Sequence, residues 1–175
     1  MASGASRAAR RDVLLLAALL VGALAHLVLY YPSLPDRVPS HFDARGVADG
    51  WMAKDGFALT MAATYALTGG FFVVLAQLLP RIPTSMINLP NREYWLAPER
   101  RMESLADVGR RLTRFGAVTV VLILALVQET ILVALERKET LSGFLLVMAA
   151  YGIYTLIWCV GLIRRFGKPP RGSSP

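Results

Sequence analysis

The run VLLLAALLVGALAHLVLYY, residues 13–31, decides what kind of protein this chain forms. A helix rises about 1.5 Å per residue, so about 20 apolar residues cross a hydrocarbon layer about 30 Å thick. Three further apolar runs, residues 57–79, 115–135 and 141–163, are longer still. The sequence therefore predicts an all-α polytopic membrane protein with four transmembrane helices, formed by one domain over residues 1–166 and followed by a disordered tail over residues 167–175.

The signs of the charges predict which side of the membrane each connection faces. Lys and Arg outnumber Asp and Glu before the first run, between the second and third runs, and after the fourth. The first connection is net negative, and the third, Glu136 to Glu139, is neutral. Because basic residues stay on the cytoplasmic side, we expect both termini and the second connection in the cytoplasm, with the first loop outside.

The start of the chain has a second interpretation. Its arginines, its short apolar core and the sequence Ala23-Leu24-Ala25 are also typical of a secretory signal with a cleavage site. The apolar stretch nevertheless continues to the aromatic pair Tyr30 and Tyr31, which favours a retained span with an interfacial belt. Both interpretations stay open here, with the retained span preferred.

Several classes of protein are disfavoured by composition and motifs. The net charge of +7 does not indicate a nucleic-acid partner, because the basic residues flank membrane ends and anionic lipid headgroups account for them. The single cysteine, Cys159, excludes an intrachain disulfide. Since no phosphate-binding glycine loop, zinc-protease helix or serine elbow occurs, we expect no enzymatic activity and no cofactor. His41 and the loop aspartates lack the spacing of zinc or calcium sites, so we also expect no metal.

The first connection, residues 32–56, reads PSLPDRVPSHFDARGVADGWMAKDG. Its prolines fix the backbone φ angle and remove amide donors, while its Asp and Gly residues are turn signals. These features predict a compact, ordered loop that is extended and turned rather than helical, with Trp51 at the interface. The residues expected to carry recognition in this outer loop are Pro35, Asp36, Pro39, His41, Phe42, Asp43, Gly46, Asp49, Gly50 and Trp51.

The stretch from Leu34 to Asp43, together with Gly46, Asp49, Gly50, Trp51 and Lys54, resembles the outer loop of a known family. That family is a bacterial membrane domain of unknown function found in the N-terminal half of the sporulation-delay toxin immunity proteins. The resemblance covers roughly residues 12–80. It implies a multi-pass protein of the bacterial plasma membrane without an agreed biochemical activity, some members of which protect cells from a membrane-active peptide toxin and relay its presence. The Gly-Ile-Arg-Thr-like motif of the immunity proteins' C-terminal half does not occur in residues 113–175.

The second connection contains INLPNREYWLAPERR, residues 87–101, which is similar to a stretch in short stand-alone members of that family. Pro98 suits the first turn of a helix, and Glu99 complements its positive end. Apolar residues then recur among arginines, which predicts a basic helix lying along the membrane and able to run on into the third span; a solvated cytoplasmic helix is the alternative. The residues of this cytoplasmic motif are Asn88, Pro90, Asn91, Tyr94, Trp95, Pro98, Arg100 and Arg101.

Few polar groups lie inside the predicted spans, and the topology places them at one depth, in the outer half. They are His26 in the first span, Gln128 and Glu129 in the third, and a threonine stripe in the second, formed by Thr60, Thr64 and Thr68. The spacing of Ala18, Gly22 and His26 is expected to let a neighbouring helix approach closely on the face that carries the histidine.

Two interpretations of these polar groups remain. They enclose a cavity open to the outer loop, or His26 and Glu129 hydrogen-bond to hold the bundle together while the threonines bond their own helix carbonyls. The leading functional hypothesis is a non-enzymatic membrane protein that senses or protects against an envelope-active peptide or stress through its outer loop. The alternative is an accessory subunit or transporter-like protein that handles a proton or small solute in the cavity. Expected partners are the lipid bilayer, its anionic headgroups at the cytoplasmic face, and a peptide or another membrane protein.

Overall fold

A computed structural model describes residues 2–136, 141 and 143–169, with side chains from residue 7 onward. The elements in chain order are helix α1 (Ala2–Tyr30), strands β1 (Arg37–Phe42) and β2 (Ala48–Ala53), and helices α2 (Lys54–Leu78), α3 (Arg92–Trp95), α4 (Pro98–Glu136) and α5 (Phe144–Phe166). Helices make up most of the described residues, and α1, α2, α4 and α5 are long and apolar enough to cross a membrane. The predicted all-α polytopic class is therefore confirmed. Of the predicted tail, residues 170–175 lie outside the described residues.

Helix α4 is central, because it packs against α1, α2 and α5, whereas α5 packs chiefly against α4. Asp12 of α1 pairs with Arg114 of α4, and His26 pairs with Gln128 about four turns further along both helices. Helices α1 and α4 therefore run in the same direction. Helix α5 runs in the opposite direction to α4, since its first residues lie beside Glu129 and its last residues beside Asp107.

These directions give the molecule two distinct ends. The hairpin end carries β1, β2 and the connection from α4 to α5. The arginine end carries the first charged residues of α1, the connection from α2 to α4, and the end of α5. The connections expected outside therefore lie together at one end, and those expected in the cytoplasm lie together at the other.

The buried core runs along the faces that α1, α2 and α4 turn toward one another. Its fully buried members include Leu16 and Ala23 of α1, Tyr65 of α2, and Val120 and Ile131 of α4. These residues recur at helical spacing, so each helix buries one stripe and leaves its remaining apolar surface for lipid.

The expected close approach at Ala18 and Gly22 is not found within the described chain. Both residues are exposed, and a Cβ added at Gly22 would have nothing within 4 Å. The buried stripe of α1 passes instead through Leu16, Ala23 and Leu27. Close approach occurs between α2 and α4, where a Cβ added at Gly116 would lie 2.5 Å from Cγ of Phe72.

The basic helix predicted before the third span does run on into it, and this continuity does not fit the expectation that the basic part lies along the membrane. Residues 98–114 and the third span form one continuous helix of 39 residues, about 58 Å long at 1.5 Å per residue. No proline follows Pro98 within it to produce a sharp kink. Since about 30 Å suffices to cross the hydrocarbon, the basic part of α4 continues past the hydrocarbon at the arginine end.

Candidate functional site

The outer loop folds into an antiparallel β-hairpin that is tied to the rest of the molecule. Arg37 pairs with Ala53, Pro39 with Trp51 and Phe42 with Ala48, with irregular register around His41. At its base the amide of Lys54 donates to the carbonyl of Asp36 at 3.1 Å, and the hydroxyl of Tyr31 donates to the carboxylate of Asp55. Val38 and Pro39 are buried against the helices.

The hairpin turn is organised by the carboxylate of Asp43. Its Oδ1 accepts the amide hydrogens of Arg45 at 2.8 Å and Val47 at 2.9 Å, and its Oδ2 accepts Nε–H of Arg45. Gly46 closes the turn with a φ of +78°, a conformation that favours glycine. The hydrogen bond from Val47, followed by the contacts of Arg45, holds the pKa of Asp43 below its ordinary value.

The tip of the hairpin is also held by a contact with another part of the chain. The amide of Leu141, in the connection from α4 to α5, donates to the carbonyl of Gly46 at 3.0 Å. The hairpin is therefore held at its base by α2 and at its tip by the following connection, so that it forms a rigid surface instead of a mobile loop.

The predicted recognition residues divide by exposure. Those on the surface include Trp51, which is 48% exposed, and His41, whose Nδ1 pairs with the carboxylate of Asp49. Members that shape the hairpin are buried or half-buried. The exposed residues are Pro35, Asp36, His41, Asp49 and Trp51; Phe42, Asp43 and Gly50 are half-buried, and Pro39 and Gly46 are buried. Across the described ranges, no group of three His, Cys, Asp or Glu residues is arranged to hold a metal ion.

The intramembrane polar residues meet different partners. His26 Nε2 and Gln128 Oε1 are 2.6 Å apart, so an N–H at Nε2 donates to the amide oxygen of Gln128. The carboxylate of Glu129 accepts the amide hydrogen of Gly143 at 2.8 Å, at the residue that precedes α5. Successive residues of a helix point about 100° apart. Gln128 therefore contacts α1, while its neighbour Glu129 contacts the start of α5.

The threonine stripe lies on another face. Thr60 is exposed, Thr64 and Thr68 are half-buried, and the hydroxyl of Thr64 donates to the carbonyl of Thr60 within its own helix. The buried face of α2 carries Phe57 and Tyr65 instead. The structure thus brings His26 and Gln128 together, and it directs Glu129 and the threonines elsewhere.

The cytoplasmic motif builds a cap over the end of α5. The carbonyl of Phe166 accepts two side-chain hydrogen bonds, from Asn91 Nδ2 at 3.0 Å and from Trp95 Nε1 at 2.9 Å. Asn91 adopts the left-handed conformation, with φ +49°, just before α3. The helix C-terminus leaves such carbonyls without helical partners, so these two side chains satisfy one of them.

Two arginines of the motif have separate structural contacts. Arg101 donates to the carbonyls of Pro80 at 3.0 Å and Ile82 at 2.8 Å, which secures the chain that follows α2. Arg100 lies over the ring of Tyr94, 4.0 Å from its centroid, and donates to the carbonyl of Tyr94 at 2.9 Å. Asn88 and Pro90 are exposed at the start of the cap.

Three residues at the arginine end were not identified from the sequence. Asp12 is buried and pairs with Arg114 at 3.0 Å, while Asp107 joins α4 to α5 through Arg165, also at 3.0 Å. Phe166 packs edge-on against Trp95. The sequence does contain a signal for Asp12 and Asp107, since each is an acidic residue among several arginines. A buried carboxylate at a membrane end requires a cationic partner, so such a residue is expected to form an ion pair.

A cavity of about 640 Å³ lies beside the cap, between α3, the beginning of α4 and Pro169. Its polar lining includes Arg92, Glu93, Glu99 and Arg100, with the ring of Tyr94 on the same wall. The cytoplasmic motif therefore has both a structural part, which closes α5, and a part that lines this cavity.

Comparison with known proteins addresses the hairpin end only. Residues 18–64 match the family model described as a domain of unknown function, DUF1648, and the matched segment runs from α1 through the hairpin into α2. No curated protein and no solved structure matches the chain. The cap and the cavity at the arginine end lie outside the matched residues. Across the hairpin and the adjoining parts of its first two spans, this membrane protein thus carries a segment of a domain of unknown function.

Proposed function

We propose that this chain is a non-enzymatic protein of the bacterial plasma membrane that recognises an envelope-active peptide through the hairpin, and so senses the peptide or protects the cell from it. The observation that supports the proposal is the rigid hairpin, which is held at base and tip while Trp51, His41 and Asp49 stay exposed. A preorganised surface binds with less loss of conformational entropy than a mobile loop.

The chemistry of the exposed residues fits a peptide. Trp51 offers a large, rigid, amphipathic surface of the kind that dominates peptide and protein interfaces. The pair of His41 and Asp49 offers both a donor and an acceptor beside it. The toxin-immunity proteins that share the resembling loop motivate the choice of an envelope-active peptide.

The proposed orientation follows from charge. Arginines gather at the arginine end, and basic residues are retained in the cytoplasm, so the hairpin would face outward. An outward hairpin is in the right compartment to meet a peptide that acts on the envelope.

The proton or solute alternative has less support. The carboxylate of Glu129 lies at the positive end of α5, where an anion is favoured by the helix dipole, so a structural role accounts for it. The pair of His26 and Gln128 ties α1 to α4.

The test uses cells that lack this protein and carry either the native chain or a variant, challenged with a panel of envelope-active peptides. Trp51→Ala and Asp49→Ala are expected to lose most of the protection. Val160→Ala, which removes an apolar side chain of similar exposure on α5, is the matched control and should protect fully. Membrane levels of each variant are measured in parallel. Unchanged sensitivity on deletion, or full protection by Trp51→Ala, would contradict the proposal.

A further inference from the structure

The charged residues of the cavity at the arginine end are not required by the hairpin or by the closure of α5. Trp95 and Asn91 close α5, and Arg101 secures the chain after α2. Arg92, Glu93 and Glu99 are exposed and line the cavity, together with the half-buried Arg100. A cavity of about 640 Å³ is thus lined by two arginines and two glutamates.

The position of the cavity relative to the membrane follows from α5. This helix has 23 residues, about 34 Å, so Phe166 at its end lies at the boundary between hydrocarbon and headgroups. The ring of Trp95 lies 5.4 Å from that of Phe166, and the ring of Tyr94 lies 4.9 Å from that of Trp95. Tyrosine and tryptophan prefer this interfacial depth. The wall of the cavity formed by Tyr94 is therefore at the level of lipid headgroups.

Arg100 is held in place to receive an anion. Its guanidinium is stacked on Tyr94, and its Nε–H is used by the carbonyl of the same residue. A guanidinium carries five N–H donors in a planar fork, and its outer pairs match the oxygens of a phosphate. An arginine already fixed by stacking loses little further side-chain entropy on binding.

The carboxylates of Glu93 and Glu99 determine which phosphate-bearing headgroup fits the cavity. An anionic headgroup such as a glycerol phosphate would bring its charge toward Glu93 and Glu99 without compensation. An ammonium group would neutralise them and donate up to three hydrogen bonds to their oxygens. A ligand that carries a phosphate and a primary ammonium a few atoms apart satisfies both signs of the lining.

We propose that this cavity binds the phosphate and ammonium of an aminophospholipid headgroup, of the phosphatidylethanolamine class. Arg92 and Arg100 hold the phosphate, and Glu93 and Glu99 accept hydrogen bonds from the ammonium. The acyl chains remain in the bilayer beside the cap. This site is independent of peptide recognition at the hairpin end.

The experiment uses the full chain, purified in detergent and titrated with defined lipids, with bound lipid counted by native mass spectrometry. Phosphatidylethanolamine should be retained in preference to phosphatidylcholine, whose quaternary ammonium has no N–H donor, and to phosphatidylglycerol, which has no cation. Loss of a charged hydrogen bond weakens binding about ten-fold, so Arg92→Gln and Glu93→Gln should each lower retention of phosphatidylethanolamine by about that factor.

The matched control variants each remove one arginine or one glutamate that lies outside the cavity. Arg81→Gln and Glu103→Gln affect exposed residues near the same end and should retain the lipid like the native chain. Both lining variants carry substitutions at exposed positions, and an unchanged unfolding temperature shows that they are folded. Glu93→Gln should in addition lower the ratio of retained phosphatidylethanolamine to retained phosphatidylglycerol.

Four outcomes would overturn the proposal. Equal retention of the three lipids would show contact with bulk bilayer only. A preference for phosphatidylglycerol would assign the arginines to anionic lipid. Binding of soluble phosphoethanolamine as tight as that of the lipid would assign the cavity to a free small molecule. Retention by Arg92→Gln equal to that of the native chain, with both proteins folded, would place the lipid elsewhere.

Discussion

At the scale of single residues, the structure depends on carboxylates placed where backbone N–H groups or arginines converge. Asp43 accepts two amide hydrogens in the hairpin turn, Glu129 accepts one at the start of α5, and Asp12 is buried beside Arg114. The contacts of Glu129 and Asp12 join different helices, whereas those of Asp43 close a local turn. Removing the charge should therefore act on the local segment that each carboxylate orders.

Asp43 gives a pH prediction with a defined sign. Because its pKa is lowered in the folded hairpin, it stabilises the turn at pH values above its ordinary pKa. That contribution is lost as the pH falls below about 4 and through the lowered value. Hydrogen exchange, corrected for intrinsic rates, should show the amide of Val47 losing protection in this range.

In Asp43→Ala, the amide of Val47 should be poorly protected from exchange already at neutral pH. Its protection should not fall further as the pH is lowered. Asp36→Ala, which removes an exposed carboxylate of the same loop, serves as the control and should keep the native profile. An acid step of equal size in Asp43→Ala would show that another group orders the turn.

At the scale of elements, the bundle is fixed by how closely α2 and α4 approach. Gly116 faces Phe72, and Gly109 faces Ala76, where an added Cβ would lie 3.4 Å from the carbonyl oxygen. In a membrane, small residues at such crossings allow van der Waals contact that lipid cannot replace. Gly22, which has the more conspicuous sequence spacing, takes no part in this packing.

Gly116→Ala should destabilise the protein. The added Cβ meets Cγ, Cβ and Cδ2 of Phe72 at 2.5 to 2.6 Å, so a rotation of the ring does not relieve the clash. Overpacking of this kind costs about 1–3 kcal/mol, more than the roughly 1 kcal/mol that alanine gains over glycine in a helix. The unfolding temperature in detergent should fall by several degrees.

Gly70→Ala is the matched control, because nothing lies within 4 Å of a Cβ at that position of α2. It should leave the unfolding temperature unchanged or raise it slightly, since only the helix propensity changes. A rise for both variants would mean that α2 and α4 do not approach at Gly116.

At the scale of the whole molecule, the two ends are chemically unlike. One presents the hairpin, and the other presents the cap, the cavity and the ion pairs of Asp107 and Asp12. The four helices join these ends without placing a hairpin residue at the arginine end. The two proposed roles, peptide recognition at the hairpin end and headgroup binding at the arginine end, both fit this separation.

The orientation is tested by labelling single cysteines with a membrane-impermeant maleimide in a background of Cys159→Ala. Ala44→Cys in the hairpin turn and Met86→Cys at the arginine end are both exposed positions. We expect Ala44→Cys to react in intact cells and Met86→Cys only after lysis, because the arginine end is proposed to be cytoplasmic. The reverse pattern would invert the orientation, and equal labelling of both in intact cells would contradict the separation of the ends.

Local sequence determined the elements of this protein. The length of the apolar runs decided the four spans, the prolines and glycines between residues 32 and 50 kept the first connection from becoming a helix, and Pro98 marked the start of α4. Each of these properties depends on neighbours within a few residues, through hydrophobic length, fixed φ angles and missing donors. These elements can therefore be predicted from the sequence without knowledge of the tertiary structure.

The tertiary structure alone decided which partner each polar residue meets. His26 and Gln128 are 102 positions apart, and Asn91 lies 75 positions from the carbonyl that it satisfies. Whether Gln128 and Glu129 share a cavity or serve different helices depends on how α1, α4 and α5 are rotated against one another. That rotation is set by the summed packing of whole faces, such as Gly116 on Phe72, which no single motif encodes.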